Sequence, residues 1–312
     1  MKKSRTNNKF TINPDFPNPM PRIASNKIEL HYESFGAASA PAILLIMGLG
    51  AQLTRWNSEL CDLLVERGFR VIRFDNRDCG QSTLCDGMPL PDISAALRGG
   101  TLSVLPYTLE TMAADSIGLL DALHIDQAHI VGASMGGAIA QIIAAHYPER
   151  TLSLTSIMSS SGNPLLPPPT LEAATALFAP LPPTRDRASI IADAITRYRA
   201  VASPDYPAPL EYLQKMFGEE YDRCCYPQGV ARQLGALIAN GDRRPLLRSI
   251  TCPTVVVHGK CDPLIPMACG EDVAGNIQNA EMRVIQGMGH DFPLALTATF
   301  ADAICSAAQS AR

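Results

Sequence analysis

The sequence predicts an α/β protein: a mostly parallel central sheet flanked by helices, with a helical cap inserted in the second half of the chain. Three observations carry this. Short continuous apolar runs recur, as strands covered on both faces require. Segments of helical period lie between them, and strand alternating with helix argues for a doubly wound sheet. The alternation lapses once, over 162–248, where prolines and helical patches replace strands.

In chain order, residues 1–22 are rich in Asn and Pro, carry Lys2, Lys3 and Arg5, and are expected as a flexible N-terminal arm. The alternation Ile28-Glu29-Leu30-His31-Tyr32 reads as a strand with one solvated face in an antiparallel hairpin. Buried strands are expected over 42–47, 71–74, 129–131, 152–158, 254–257 and 283–285. A helix over 56–66 places Leu60, Leu63 and Leu64 on one stripe, and another over 109–123 has Thr108 as its candidate N-cap. A helix of small residues runs from Met135 to Tyr147. Within the lapse, helices are expected over 185–200, 210–217 and 230–239, with Pro167-Pro168-Pro169 and Pro182-Pro183 as stiff connectors. The resulting organisation is a core of 23–161 and 249–312 and a cap of 162–248.

Composition narrows the function classes. A chain of 312 residues, 46% hydrophobic and 18% charged, can bury a sizeable core without disulfide or metal staples. A formal net charge of −4 leaves no electrostatic footprint for nucleic acid or an anionic membrane. No apolar run reaches the ~20 residues of a bilayer span, and the start lacks the apolar stretch of a signal peptide. The nine cysteines form no CxxC pair, so no zinc site is expected, and vicinal Cys224-Cys225 reads as two buried free thiols. Together these lead us to expect a cytoplasmic protein.

The pattern Gly132-x-Ser134-x-Gly136 occurs once. Chance would supply it in roughly one chain in ten of this length, so its setting decides. An apolar strand ends at Val131 and a small-residue helix opens at Met135, which is the arrangement of a nucleophile elbow. The serine then sits on a sharp turn whose neighbours must be small, and Gly132, Ala133, Gly136, Gly137 and Ala138 are. The alternative is a glycine-lined turn that binds phosphate through backbone N–H groups. Against it, the Gly-Lys-Ser/Thr ending of a phosphate loop is absent, and no acidic residue closes the next strand as a dinucleotide fold prefers.

A serine hydroxyl needs a base, and the base an orienting acid. Asp262 follows the strand over 254–257 and His290 follows the strand over 283–285, both beyond C-terminal strand ends, where open α/β sheets bind ligands. The order Ser, Asp, His is that of strand-to-helix serine nucleophiles. His258, His124, His129 and His146 read as scaffold, Asp291 as pointing away from the site, and Lys260 as solvated. The loop Ser159-Ser160-Ser161-Gly162-Asn163 offers no carboxylate, and the charges of Arg73 to Asp78 are expected to organise a loop. An oxyanion needs two donors. The Met135 N–H at a helix start is one, and the Leu49 N–H in Gly48-Leu49-Gly50 is the expected second.

The blocks Ile46-Met47-Gly48-Leu49-Gly50, Asp75-Asn76-Arg77-Asp78-x-Gly80-x-Ser82, Gly132-x-Ser134-Met135-Gly136-Gly137, Asp262-Pro263-Leu264 and Gly287-Met288-Gly289-His290 resemble the α/β-hydrolase superfamily. Within it they are most similar to the carboxylesterase group that contains the aclacinomycin and rhodomycin methylesterases. The resemblance implies cofactor-free hydrolysis of a small-molecule ester under a helical cap, with Ser134 as nucleophile, Asp262 as acid, His290 as base, and Leu49 and Met135 as oxyanion donors. Many relatives carry His-Gly where this chain has Met47-Gly48, a change that leaves the loop backbone intact. The same triad would serve a carbon–carbon bond hydrolase or a cofactor-free perhydrolase, and a non-catalytic binding protein on this scaffold is the rival from another class. A serine at 134 argues against the Asp-nucleophile dehalogenases and epoxide hydrolases. In the cap, Leu165, Leu166, Leu177, Phe178, Leu181, Met216 and Phe217 either line a pocket or pack the cap on the core.

Overall fold

Alternate residues of a strand face opposite sides of its sheet, and the strand β3 (Ala42–Ile46) divides its side chains in this way. Ala42, Leu44 and Ile46 enter one apolar layer, while Ile43 and Leu45 enter the other. Both layers are covered by helices, so the whole strand is buried.

The computed structural model describes residues 21–97, 100–102, 104–178 and 186–311. The arm over 1–20, Pro182-Pro183, Leu181 and the start of the helix expected at 185 lie outside these. Arg22, assigned to the arm from sequence, instead begins β1 (Arg22–Ser25), which pairs antiparallel with β2 (Ile28–Phe35). Asn26 and Lys27 between them take the left-handed φ values (45° and 67°) that close tight hairpins.

After β3 come α1 (Ser58–Glu66), β4 (Arg70–Phe74), α2 (Ile93–Leu97), α3 (Leu109–Ala122), β5 (Ala128–Ala133), α4 (Met135–His146) and β6 (Thr151–Ile157). The helices α5 (Leu171–Phe178), α6 (Arg187–Arg199), α7 (Leu210–Arg223), α8 (Pro227–Asn240) and α9 (Arg244–Leu247) fill the lapse. The chain returns through β7 (Thr254–Gly259), α10 (Met267–Asn276), β8 (Glu281–Ile285) and α11 (Thr297–Gln309). Thr108 caps α3 by accepting the Thr111 N–H.

The strand order is β1-β2-β4-β3-β5-β6-β7-β8, antiparallel through β1, β2 and β4 and parallel from there on. The chain passes from β3 to β4 on one side and returns with β5 on the other. The C-terminal ends of β3 and β5 therefore flank a topological switch point, where an α/β sheet opens a crevice. Helices α3 and α4 cover one face, and α1 and α11 the other.

Several elements depart from the sequence reading, among them the unanticipated short helices α2, α5 and α9. β8 is an edge strand with Glu281 and Val284 exposed, not one buried on both faces, because only β7 pairs with it. α7 extends to Arg223, beyond the expected end at 217, and its last turn is anchored to the core by Arg223 and Glu220. α10, which buries Cys269, Gly270 and Val273, and α11, which buries Phe300 and Ile304 among mostly small residues, were not anticipated. Cys224 and Cys225 are half-buried rather than fully buried. Among the described residues no helix is long and apolar enough to cross a membrane.

Helices α7 and α8 reach the core through ion pairs. Arg232 on α8 donates to Asp78 at 2.8 and 3.1 Å, and both side chains are buried. Arg232→Ala leaves Asp78 without its cation and should cost about 3–5 kcal/mol, read as a lowered urea midpoint at unchanged slope. His31 is fully buried, and that burial lowers its pKa below the ordinary histidine value. The unfolded chain therefore takes this proton first, so the stabilising contribution is complete above about pH 6.5 and declines as pH falls towards the folded pKa. The urea midpoint should drop as pH falls below about 6.5, and less steeply in His31→Gln.

Candidate active site

Ser134 joins β5 to α4 with φ 54° and ψ −118°, a conformation that disfavours any side chain. Such a residue costs on the order of 1–3 kcal/mol unless its surroundings over-determine it. Here they do. Its N–H donates to the Ile157 carbonyl at 2.9 Å. Its carbonyl accepts from Gly137 N at 2.9 Å, Ala138 N at 3.2 Å and Ser159 Oγ at 2.8 Å. A Cβ on Gly132 would lie 2.0 Å from the Gly136 carbonyl oxygen, and one on Gly136 would lie 2.1 Å from that of Ile46. The turn therefore exists only with glycine at both positions.

His290 and Asp262 lie in the loops after β8 and β7. His290 Nε2 is 3.0 Å from Ser134 Oγ, and His290 Nδ1 is 2.7 Å from Asp262 Oδ2. A carboxylate oxygen only accepts, so Nδ1 carries the ring proton and Nε2 is left to accept from the serine hydroxyl. The other oxygen, Oδ1, accepts from Leu264 N at 2.9 Å and Ile265 N at 2.8 Å. The two loops are laced together where Lys260 N donates to the Ile285 carbonyl and Cys261 N to the Met288 carbonyl, both at 2.9 Å. His290 N donates to Val201 O at 2.7 Å, and Phe292, two residues on, packs between Trp56 and Phe300.

His258 is buried behind the acid, with Nε2 3.6 Å from Asp262 Oδ2. Nε2 is 2.7 Å from the Ile265 carbonyl, an acceptor, which places the proton on Nε2. Burial lowers the His258 pKa and favours the neutral ring. It supports the acid loop without entering the cavity, and its four-residue spacing from Asp262 is the sequence signal of that contact.

The expected oxyanion loop is held from both sides. Asn76 Nδ2 donates to the Met47 carbonyl at 2.9 Å. Gln233, buried on α8, accepts from Gly50 N at 2.8 Å and donates to the Arg77 carbonyl at 2.7 Å. A Cβ on Gly48 would lie 3.2 Å from Ser134 Cβ, so the loop passes directly over the serine. Leu49 lines the cavity beside Ser134, and among the described residues its N–H has no backbone acceptor. Met135 opens α4, where first-turn N–H groups lack intrahelical acceptors.

The charged block after β4 is structural. Asp75 accepts from Leu53 N at 2.7 Å, Gln81 N at 2.9 Å and Arg223 Nη2 at 3.0 Å. Asp78 accepts from Tyr107 Oη and Cys85 N, each at 2.7 Å, as well as from Arg232. Arg77 pairs with Asp115 through two contacts of 2.5 Å. Asn76 and Gln233 were not singled out from sequence, since their partners are backbone atoms from distant segments.

Ser134 and His290 open into a cavity of about 490 Å³. Leu177, Met216 and Phe217, three of the apolar residues anticipated as lining or packing, are on its wall. Leu165 is 85% exposed and Leu166 half-buried; Leu181 and the Phe178 side chain lie outside the description. Asp291, expected to face away, instead lines the cavity. Its carboxylate accepts from Tyr198 Oη at 2.7 Å, Ser203 N at 3.0 Å and Ser203 Oγ, and burial pushes its pKa up. Ser203 Oγ also accepts from Gly289 N at 2.8 Å, which ties the segment after α6 to the His290 loop.

Comparison with known proteins places this geometry among relatives. The chain is 25% identical to a rhodomycin D methylesterase of Streptomyces peucetius over 94% of this chain and 99% of that protein. It is 26% identical to 3-oxoadipate enol-lactonase 2 of Acinetobacter baylyi over 85% of this chain and 87% of that protein. Among solved structures, an enol-lactonase from Burkholderia xenovorans LB400 superposes with a TM-score of 0.71 at 24% identity, covering 93% of this chain and all of that one. A family model described as alpha/beta hydrolase fold matches residues 41–294. On that match, which spans most of its length, the chain belongs to the alpha/beta hydrolase fold family.

Proposed function

We propose that this protein is a serine esterase that cleaves carboxylic esters through an acyl-enzyme. The observation that carries this reading is the continuous contact from Ser134 Oγ to His290 Nε2 at 3.0 Å and from His290 Nδ1 to Asp262 at 2.7 Å, opening into a largely apolar cavity. A methylesterase among the relatives supports it.

In this mechanism His290 accepts the Ser134 proton as Oγ attacks the ester carbonyl. The oxyanion forms towards the N–H groups of Leu49 and Met135, the former on a loop already held by Asn76 and Gln233, so little reorganisation accompanies the charge. His290 then delivers its proton to the leaving alcohol. Water attacks the acyl-enzyme by the reverse transfers and releases the acid. Asp262 keeps the imidazole in the Nδ1–H tautomer and stabilises the imidazolium. The helices over 162–248 act as a cap that closes the cavity above Ser134 and selects the substrate.

Ser134→Ala should abolish the p-nitrophenol burst and labelling by a fluorophosphonate probe, and lower kcat by about 10⁴-fold or more while the fold survives. Full burst and turnover in that variant would overturn the assignment. Asp262→Asn should lower kcat by about 10⁴-fold with a much smaller change in KM, because the amide favours the wrong imidazole tautomer. Equal activity would remove Asp262 from the role. Monochlorodimedone bromination with acetate and peroxide separates ester cleavage from perhydrolysis on the same residues.

A further inference from the structure

The cavity wall carries the charged side chains of Arg55, Arg197 and Asp291, and each is engaged by neighbouring groups. Arg55 directs Nε and Nη2 to the two carboxylate oxygens of Glu220, the second at 2.8 Å, and its guanidinium lies 4.6 Å above the Phe217 ring. Burial opposes the Arg55 charge, but Glu220 more than offsets it and holds the guanidinium above its ordinary pKa. Arg197 pairs with Asp193 at 2.6 Å and donates to the Ala176 carbonyl at 2.7 Å. Asp291 is engaged by Tyr198 and Ser203.

We infer that Glu220 sets the charge preference of the cavity: by compensating Arg55 it makes the site select esters whose acyl chain is neutral and apolar and exclude those that carry a second carboxylate. This rests on the esterase reading for the identity of the ligand. A carboxylate that approached Arg55 would find its guanidinium already paired with Glu220, and it would lose its water without gaining an unmatched cation. An alkyl chain loses nothing comparable and gains contact with Leu177, Met216, Phe217 and Leu237. Glu220 is held for this task from a second direction, since its own carbonyl accepts from Gln52 Nε2 at 2.8 Å and fixes the last turn of α7 against the core. It touches no reacting atom and is a specificity residue acting through Arg55.

The test uses two esters of equal length, p-nitrophenyl hexanoate and mono-p-nitrophenyl adipate, which differ in a terminal methyl or carboxylate. Binding is measured by calorimetry on the Ser134→Ala protein, where no turnover interferes. The hexanoate ester should bind at least about 30-fold more tightly than the adipate ester. Adding Glu220→Gln should narrow that ratio by about 10-fold, adding Arg55→Gln should widen it, and Glu220→Asp should preserve it. A purely structural role would move both ligands equally. Comparable or tighter adipate binding by the Ser134→Ala protein, or a ratio that neither Glu220→Gln nor Arg55→Gln shifts, would overturn the proposal. If one of these two variants fails to fold, the other decides in its own direction. Hydrolysis of p-nitrophenyl hexanoate by the unsubstituted protein reports separately on the esterase reading.

Discussion

The close approach of three backbone segments around Ser134 is the constraint on which the rest depends. The end of β3, the end of β5 and the first turn of α4 converge so tightly that the Ile46 and Gly136 carbonyls occupy the space of a missing Cβ at Gly136 and Gly132. Only this convergence turns Ser134 outward at positive φ and brings the loop through Gly48 and Leu49 over it. The strain is borne by the sheet, because the Ser134 N–H still bonds to the end of β6. A strained residue held by a rigid frame is pre-organised, so its hydroxyl meets His290 without rearrangement.

A second layer of organisation is ionic and buried. Asp75, Asp78 and Asp115 are each matched by an arginine, and two of those arginines come from α7 and α8, far along the chain. Buried pairs of this kind contribute little net stability against apolar replacements, but stranding one partner is costly, so they specify where a segment sits. Here they seat α7 and α8 against the loops after β3 and β4. Gln233 then reaches Gly50, and Glu220 reaches Arg55, from helices whose position those pairs determine. The shape of the cavity and the setting of the loop through Gly48 and Leu49 thus depend on the same anchors.

Much of the sheet was legible because its strands are apolar on both faces, a pattern with few competing explanations. The helices of clear amphipathic period, α1 and α3, were legible for a similar reason. α10 and α11 were not, since the buried face of α10 is only Cys269, Gly270 and Val273, and in α11 Phe300 and Ile304 are the large apolar residues among small ones. The exposed β8 was read as buried because an edge strand and a central strand can share composition and differ only in neighbours. At the site, Ser134, Asp262 and His290 stood out through the elements they follow. Asn76, Gln233 and Asp291 did not, because their partners are backbone or hydroxyl groups remote in sequence.

The sequence by itself determined the chemical types at the strand ends: a serine between glycines, then an aspartate, then a histidine, each beyond an apolar run. It did so because the turn tolerates only small neighbours and strands leave a strong local signal. Tertiary structure alone decided the separations of 3.0 and 2.7 Å, the matching of Arg55 by Glu220 and the turning of Asp291 into the cavity wall. These depend on contacts between segments distant along the chain. Local pattern carries no information about which charge will meet which, and that pairing is set only when the helices pack over the sheet.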